Sequence, residues 1–456
     1  MQSRPRRRGK TGASLALKEK EQGYTMKKLF LICILILAVG ILGPGFLAMP
    51  AFGQDAEKVQ ELQRVIDAQQ KQLDEQMQLL RELKTQIDSL AEEKKTTVQT
   101  PPAEDAEMTV QAPVEKVVTS GQERVKLSIS GQVNRAVNIV DDGKDTEAYN
   151  VDNDNSESRV RFDGTARINN DLTLGTRIEL TIAPNKAGNV DQNDKETNNI
   201  FDQRITELIL DSKRFGKLSL GKGHTASYGT ASVDLSGTGV ISYATIADTA
   251  GGMLFRQTSD DSLTNVRIVH AFNSLDGLNR RSRVRYDTPT FYGLRLATSL
   301  VSDERYDISL WWGGQGYGFK AAGAAAIANP NEDDTDLQYD GSFSILHEDT
   351  GLNLTMSAGL LERDNHGDAQ NLYAKVGWLT RFFSFGETAF GVDYTRSLNL
   401  PTDSDDGYSV GVAAVQQFEE YGTEIYSLYR LHSLDRDVEP SVHDINVVSL
   451  GARVKF

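Results

Sequence analysis

Val448–Phe456 reads VSLGARVKF. Every second residue, Val448, Leu450, Ala452, Val454 and Phe456, is apolar, and Ser449, Gly451, Arg453 and Lys455 lie between them. Side chains alternate across a strand, so one face is apolar and the other polar. The polar face carries two cations and no acid of its own strand. Two settings suit such a strand. One is a wall with lipid outside and water inside; the other is the amphipathic edge of a soluble sandwich. The rest of the chain decides between them.

The same period of two runs back to Val125. Val125, Leu127, Ile129 and Val133 alternate with Lys126, Ser128, Ser130, Gln132 and Asn134. Leu172, Leu174, Ile178 and Leu180 alternate with Thr173, Arg177, Glu179 and Thr181. Short connections recur at Asn169–Asp171, Arg214–Gly216, Phe291–Gly293, Tyr317–Gly318, Asp349–Gly351, Phe385–Gly386 and Tyr421–Gly422. Glycine supplies the turn geometry, and the aromatic before it in five of the seven suits a membrane interface. Between these turns lie long acidic segments at 138–157, 184–202, 329–336, 362–370, 399–407 and 434–443. Short turns alternating with long loops make an up-and-down barrel. Seven turns join sixteen strands when the chain enters and leaves on one side. A further hairpin, Met253–Gln257 with Val266–Phe272, makes eighteen the alternative. The expected fold is all-β: a transmembrane antiparallel barrel over residues 125–456.

What precedes the barrel is different in kind. Met26-Lys27-Lys28, the apolar run Leu29–Leu42 and Ala51-Phe52-Gly53 read as a secretory signal peptide ending at residue 53, behind a basic stretch 1–25 that fits an upstream start codon. Cys33, the chain's single cysteine, lies in that run, so the mature chain is expected to hold no disulfide and no cysteine metal site. Residues 54–95 carry heptads: Val59, Ile66, Leu73, Leu80 and Ile87 at a, with Leu62, Gln69, Gln76, Leu83 and Leu90 at d. Five heptads make a coiled-coil rod of roughly 50 Å. Pro101, Pro102 and Pro113 mark residues 96–124 as a semi-extended linker. The formal net charge is −15 and the mean hydropathy −0.40. After residue 50 no apolar run reaches the ~18 residues of a spanning helix.

Segment 223–280 is far longer than the other connections, and long loops in compact domains are usually functional. Its first half is small, polar and glycine-rich, with only Asp234 and Asp248 charged between His224 and Gly252. Such a loop is expected to fold into a water-filled lumen. Arg281, Arg283 and Arg285 share one strand face, and Arg159, Arg161 and Arg167 share another. Guanidinium groups in a narrow pore favour anions, and Asp234 and Asp248 would oppose them. The competing reading is that the arginines only neutralise acids of the lumen. Residues 125–456 hold 31 Lys+Arg against 47 Asp+Glu. Those acids concentrate in loops, beyond a Debye length of roughly 8 Å from the pore centre. None of the six histidines sits in a nucleophile motif, and His224 with Ser227 is an isolated pair. No enzyme activity, metal site, cofactor or nucleic-acid partner is expected.

Together, VVSLGARVKF at the end of the chain, SRVRYDTPTFYGLRLATS (282–299) and FGKLSLGKG (215–223) resemble the Gram-negative general porins. The coiled coil resembles the extension of their DcaP-like subgroup. The terminal strand ending on Phe456 resembles the signal read by the barrel-assembly machinery. The resemblance implies a homotrimer in the outer membrane, among its lipids and lipopolysaccharide, with the coiled coil in the periplasm. It also implies an inward-folded third loop facing basic wall residues. The expected function is passive diffusion of small hydrophilic solutes, favouring small anions such as carboxylates. The alternatives are a cation-leaning general porin, or an envelope-spacing protein whose rod reaches peptidoglycan or a periplasmic protein.

Overall fold

The computed structural model describes residues 118–122, 125–197, 201–437 and 440–456. The expected signal peptide, the coiled coil and the linker up to residue 117 lie outside the described residues.

The wall is made of strands β1 Val125–Asp141, β2 in two pieces (Thr146–Asp152 and Arg159–Arg167), β3 Leu172–Ile182, β4 Phe201–Ser212, β5 Gly216–His224, β6 Arg280–Asp287, β7 Leu294–Val301 and β8 Tyr306–Gly316. It continues with β9 Phe319–Asn329, β10 Thr335–His347, β11 Leu352–Arg363, β12 Ala369–Phe383, β13 Gly386–Leu398, β14 Asp405–Phe418, β15 Thr423–Arg436 and β16 Ile445–Lys455. Each pairs antiparallel with the next. The barrel closes where β1 meets β16, from Gln132 opposite Lys455 to Asp141 opposite Asn446. The sheet has eighteen segments. Two of them are the halves of β2, and Val118–Gln122 folds back on the start of β1. The wall is therefore a closed barrel of sixteen strands. The hairpin that would have made eighteen, Leu254–Arg256 with Leu263–Arg267, is a separate sheet within the long loop.

All seven expected short turns join consecutive strands at one end of the barrel. Phe215, Phe291, Tyr292, Tyr317, Phe385 and Tyr421 are exposed there, as an interface girdle requires. Val448, Leu450, Val454 and Phe456 are exposed on the outer face of β16, while Ser449 between them is buried inside. A closed barrel has no free edge, and each wall strand satisfies its backbone through its neighbours, so the apolar band can face lipid.

Two expectations fail locally. The acidic segment 138–157 is no long loop: β1 and β2 run through it and turn at Asp142–Asp145. The Asp142 side chain accepts from the amides of Lys144 and Asp145, which closes that turn. The linker, drawn to residue 124, gives way at Val118 to a strand paired with β1.

The inner face is also not polar all round. Ala389, Ala413, Val415, Leu428, Leu434, Ile445 and Val447 point inward and are buried under loop residues Val240, Ile241, Ile246, Met253, Phe255 and Phe272. One side of the lumen is thus a packed apolar core that seats the loop.

Candidate pore constriction

The loop between β5 and β6 follows the inner wall. It binds there through side chains, because the wall's backbone groups are already used. Ser299 on β7 accepts from the Ala226 amide at 2.7 Å, and Asp307 on β8 accepts from the Ser227 amide and hydroxyl at 2.9 and 2.6 Å. Ser342 and Ser344, two apart on β10, accept from the amides of Val233 and Leu235 at 2.9 Å each. Lys375 on β12 donates to Asp234, and at 2.9 Å to the Thr238 hydroxyl and the Ser242 carbonyl. The Ser242 hydroxyl reaches Asp393 on β13 at 2.6 Å, and Asp393 takes both ends of the buried Arg430 guanidinium. The loop also meets β1 and the segment between the two pieces of β2: Asn138 donates to the Thr249 carbonyl and Asn153 to that of Val240.

The other side of the lumen carries charge. On β2, Arg161 donates to Glu179 of β3 at 2.8 Å, and Arg159 lies 3.8 Å from the same carboxylate. Arg204 on β4 donates to Glu179 at 2.6 Å and pairs with Glu157, which Lys186 also meets at 2.7 Å. Four cations thus surround two carboxylates. The cations stand in front: Glu179 is 2% exposed, Arg159 17% and Arg161 21%. Arg280 stacks on Tyr228 of the loop root, 4.7 Å from the ring centre. Asp248, in the loop's short 3-10 turn Ile246–Asp248, accepts from Tyr243 and feels the positive charge of Arg280 and Arg204. Burial pushes its carboxyl up to about 7, and the Tyr243 hydroxyl and the two arginines pull against that rise.

The expected site residues therefore separate into groups. Arg159 and Arg161 flank Glu179, and Asp248 feels Arg204, which holds the same Glu179. Arg167 lies exposed at the short-turn end of β2. Arg281 is exposed on β6. Arg283 and Arg285 share one face but are buried. Arg283 pairs with Glu207 and donates to the carbonyls of Gly221 and His224. Arg285 is bidentate to Asp287 at 2.7 and 2.9 Å and also holds the Thr225 carbonyl. Asp234 is held by Lys375 on the far wall. His224 stacks on Tyr228 and Ser227 bonds Asp307, so the His–Ser pair is divided between different partners.

Three residues of the site escaped sequence reasoning. Arg204 is the extra residue of a β-bulge: Glu179 pairs with Ile205 and Leu180 with Gln203. A bulge re-aims one side chain, and no alternation pattern announces it. Arg280 follows Asn279, whose φ of 61° turns the chain into β6. Lys375 shares β12 with one other cation, Arg381, and nothing in the strand's alternation singles it out.

No curated protein matches the chain. The anion-selective porin from Comamonas acidovorans has a similar fold, with 14% identity, 73% of this chain and 100% of that chain covered, and a TM-score of 0.50. In-vitro folded OmpT of Vibrio cholerae is 13% identical over 74% of this chain and 99% of its own, TM-score 0.49. The outer membrane channel DcaP of Acinetobacter baumannii is 12% identical over 74% and 99%, TM-score 0.48. The Gram-negative porin family model matches residues 111–437, well over half of the chain and nearly all of the barrel. The chain belongs to the Gram-negative porin family and forms an outer-membrane channel.

Proposed function

We propose that this channel lets small hydrophilic solutes diffuse passively and favours small anions, carboxylates among them. The observation that carries the reading is the layering of charge on β2, β3 and β4. Glu179 lies beneath the guanidiniums of Arg159 and Arg161, and those guanidiniums face the water. An anion in transit meets donors first, in a confined space where charge acts at short range. Asp248 faces the same group from the loop and sets a transverse field. In this reading Arg159, Arg161, Arg281 and Asp248 act on the solute, with Arg167 at the inner mouth. Arg283, Arg285 and Asp234 line the pore wall chiefly as anchors of the loop.

The remaining assignments are part of the same proposal. Residues 26–53 are a signal peptide behind an upstream extension 1–25, 54–95 a periplasmic coiled coil, and the linker ends before Val118. The channel is a homotrimer among outer-membrane lipids and lipopolysaccharide, inserted by the barrel-assembly machinery through Phe456. The coiled coil reaches toward peptidoglycan or a periplasmic protein.

The test is the reversal potential of the purified protein in a planar bilayer under a salt gradient. Anion preference at moderate salt is expected. Cation preference would mean that the loop acids dominate, as in a cation-leaning general porin.

A further inference from the structure

The constriction loop does not stay inside the barrel. Its hairpin, Leu254–Arg256 with Leu263–Arg267, reaches the long-loop end and joins three connections of the mouth. Gln257 forms an antiparallel bridge with Val442, flanked by hydrogen bonds from the Thr258 amide to the Ser441 carbonyl and from the His443 amide to the Arg256 carbonyl. Gln192, between β3 and β4, exchanges hydrogen bonds with the Leu254 backbone at 2.8 and 3.0 Å. Arg267 pairs with Asp191 of the same connection at 3.1 Å.

Arg256 is the hub. Its Nε donates to Asp142 at 2.8 Å, its Nη2 lies 3.6 Å from Asp145, and its Nη1 donates to the Asp261 carbonyl at 2.8 Å. Asp142 also takes Gln192 at 3.1 Å. Arg256 and Asp142 are 12% and 4% exposed. The pair is therefore shielded, unlike a surface ion pair of little worth. Only a guanidinium has donors enough, in a fixed plane, for three acceptors at once.

The hairpin follows Asp248 by a few residues, and that interval is pinned. The Gly252 amide donates to the Ala187 carbonyl, the Met253 amide to that of Ala250, and the Ile268 amide to that of Met253. A shift of the hairpin must therefore carry the acid that faces Arg204 and Arg280.

We propose that Arg256 is a positioning residue for the pore. Its side chain ties the constriction loop to the β1–β2 turn of the outer mouth through Asp142 and Asp145, and by way of Asp142 to Gln192 of the β3–β4 connection, so that the mouth sets where Asp248 stands and how often the channel closes. The inference rests on the chain being a conducting channel; it does not depend on which ion is preferred.

The test is single-channel recording of the full-length protein in planar bilayers, with the reversal potential read from the same traces. Arg256→Ala should raise the rate of spontaneous closures roughly tenfold, the factor that one charge-assisted hydrogen bond is worth, and shift the reversal potential. Asp142→Asn keeps the shape and removes the charge, and should act the same way if the alanine variant fails to insert. Gln257 and Val442 are a non-hydrogen-bonded pair, the register in which Cα atoms approach to about 4.5 Å and a disulfide fits. Gln257→Cys with Val442→Cys, oxidised, should return Arg256→Ala to wild-type closure rates, and reduction should undo the rescue. Unchanged closure rates and reversal potential in both charge variants would overturn the proposal. So would a formed crosslink that leaves Arg256→Ala as noisy as before. A cation-selective wild type whose closures still respond to Arg256 would refute the anion reading alone.

Discussion

Lys375 on β12 and Asp234 in the constriction loop form an ion pair with almost no access to solvent: their side chains are 0% and 7% exposed. Thr238, Ser242, Thr355 and the Ser236 amide supply the remaining hydrogen bonds. Removing one partner of a buried pair costs about 3–5 kcal/mol, because the other charge stays behind, whereas replacing both with apolar groups is often neutral. Lys375→Met should therefore loosen the loop and raise open-channel noise. Lys375→Met with Asp234→Leu should recover much of the loss. A double-mutant cycle on thermal unfolding measures this, and additive effects would show that the pair does not hold the loop.

The two arginine groups should respond oppositely to truncation. Arg159→Ala with Arg161→Ala removes the part-exposed cations while Arg204 still holds Glu179, so the barrel should keep folding and the reversal potential should move toward cations. Arg283→Ala with Arg285→Ala strands Glu207 without its cation, leaves Asp287 with Arg295 alone, and releases the carbonyls of Gly221, His224 and Thr225. That variant should lose several kcal/mol and show it as reduced folded yield. Comparing heat-modifiability on gels with selectivity in bilayers separates the two outcomes.

The barrel was legible because its signals are local. Alternation in Val448–Phe456 reports which face meets lipid, and an aromatic before glycine reports a turn, with no knowledge of distant partners. The constriction was only half legible because its partners are remote in sequence. Asp234 and Asp248 stood out in a weakly charged loop, but nothing near Lys375 says that it meets a residue 141 positions away. The arginines on β6 show the limit of a face argument: alternation puts Arg283 and Arg285 on the lumen side, yet Glu207 and Asp287 decide whether they meet solute. The apolar inner face of β13 to β16 runs against the lipid-out, water-in rule, because loop residues such as Ile241 and Phe272 pack where water was expected.

The seam that closes the barrel, from Gln132–Lys455 to Asp141–Asn446, ends in a close contact. Gly131 on β1 and Phe456 exchange backbone hydrogen bonds of 2.8 and 2.9 Å, and a Cβ on Gly131 would lie 2.7 Å from the Phe456 ring and from the Arg159 carbonyl. Gly131→Val should therefore part the first and last strands at this end of the seam and weaken closure. Deleting Phe456 should weaken the same seam without a clash. Refolding into detergent micelles, read by the gel shift between heated and unheated samples, should show a larger loss for Gly131→Val. Equal refolding of both variants and the parent would mean that the seam tolerates a gap.

The carboxyl of Asp248 should make selectivity depend on pH near neutrality. Burial raises it to about 7, so it is charged at pH 8 and largely neutral at pH 6. When charged it adds to the acids that offset Arg204 and Arg280; when neutral its share of that offset is gone. Anion preference should therefore increase as the pH falls from 8 to 6, and Asp248→Asn should hold the pH 6 value throughout. In folding terms the sign follows from the raised carboxyl. The folded state binds that proton more tightly than the unfolded chain, so Asp248 contributes stability at low pH and loses it as the pH rises through about 7. Asp142 behaves in the opposite sense. Burial alone would raise it, but the Asp145 amide, Gln192 and Arg256 hold it below its ordinary 3.8, so the latch at the mouth stays charged throughout this range. A reversal potential that moves between pH 8 and 6 in the parent but not in Asp248→Asn is the expected result. Equal movement in both would assign the titration to another group.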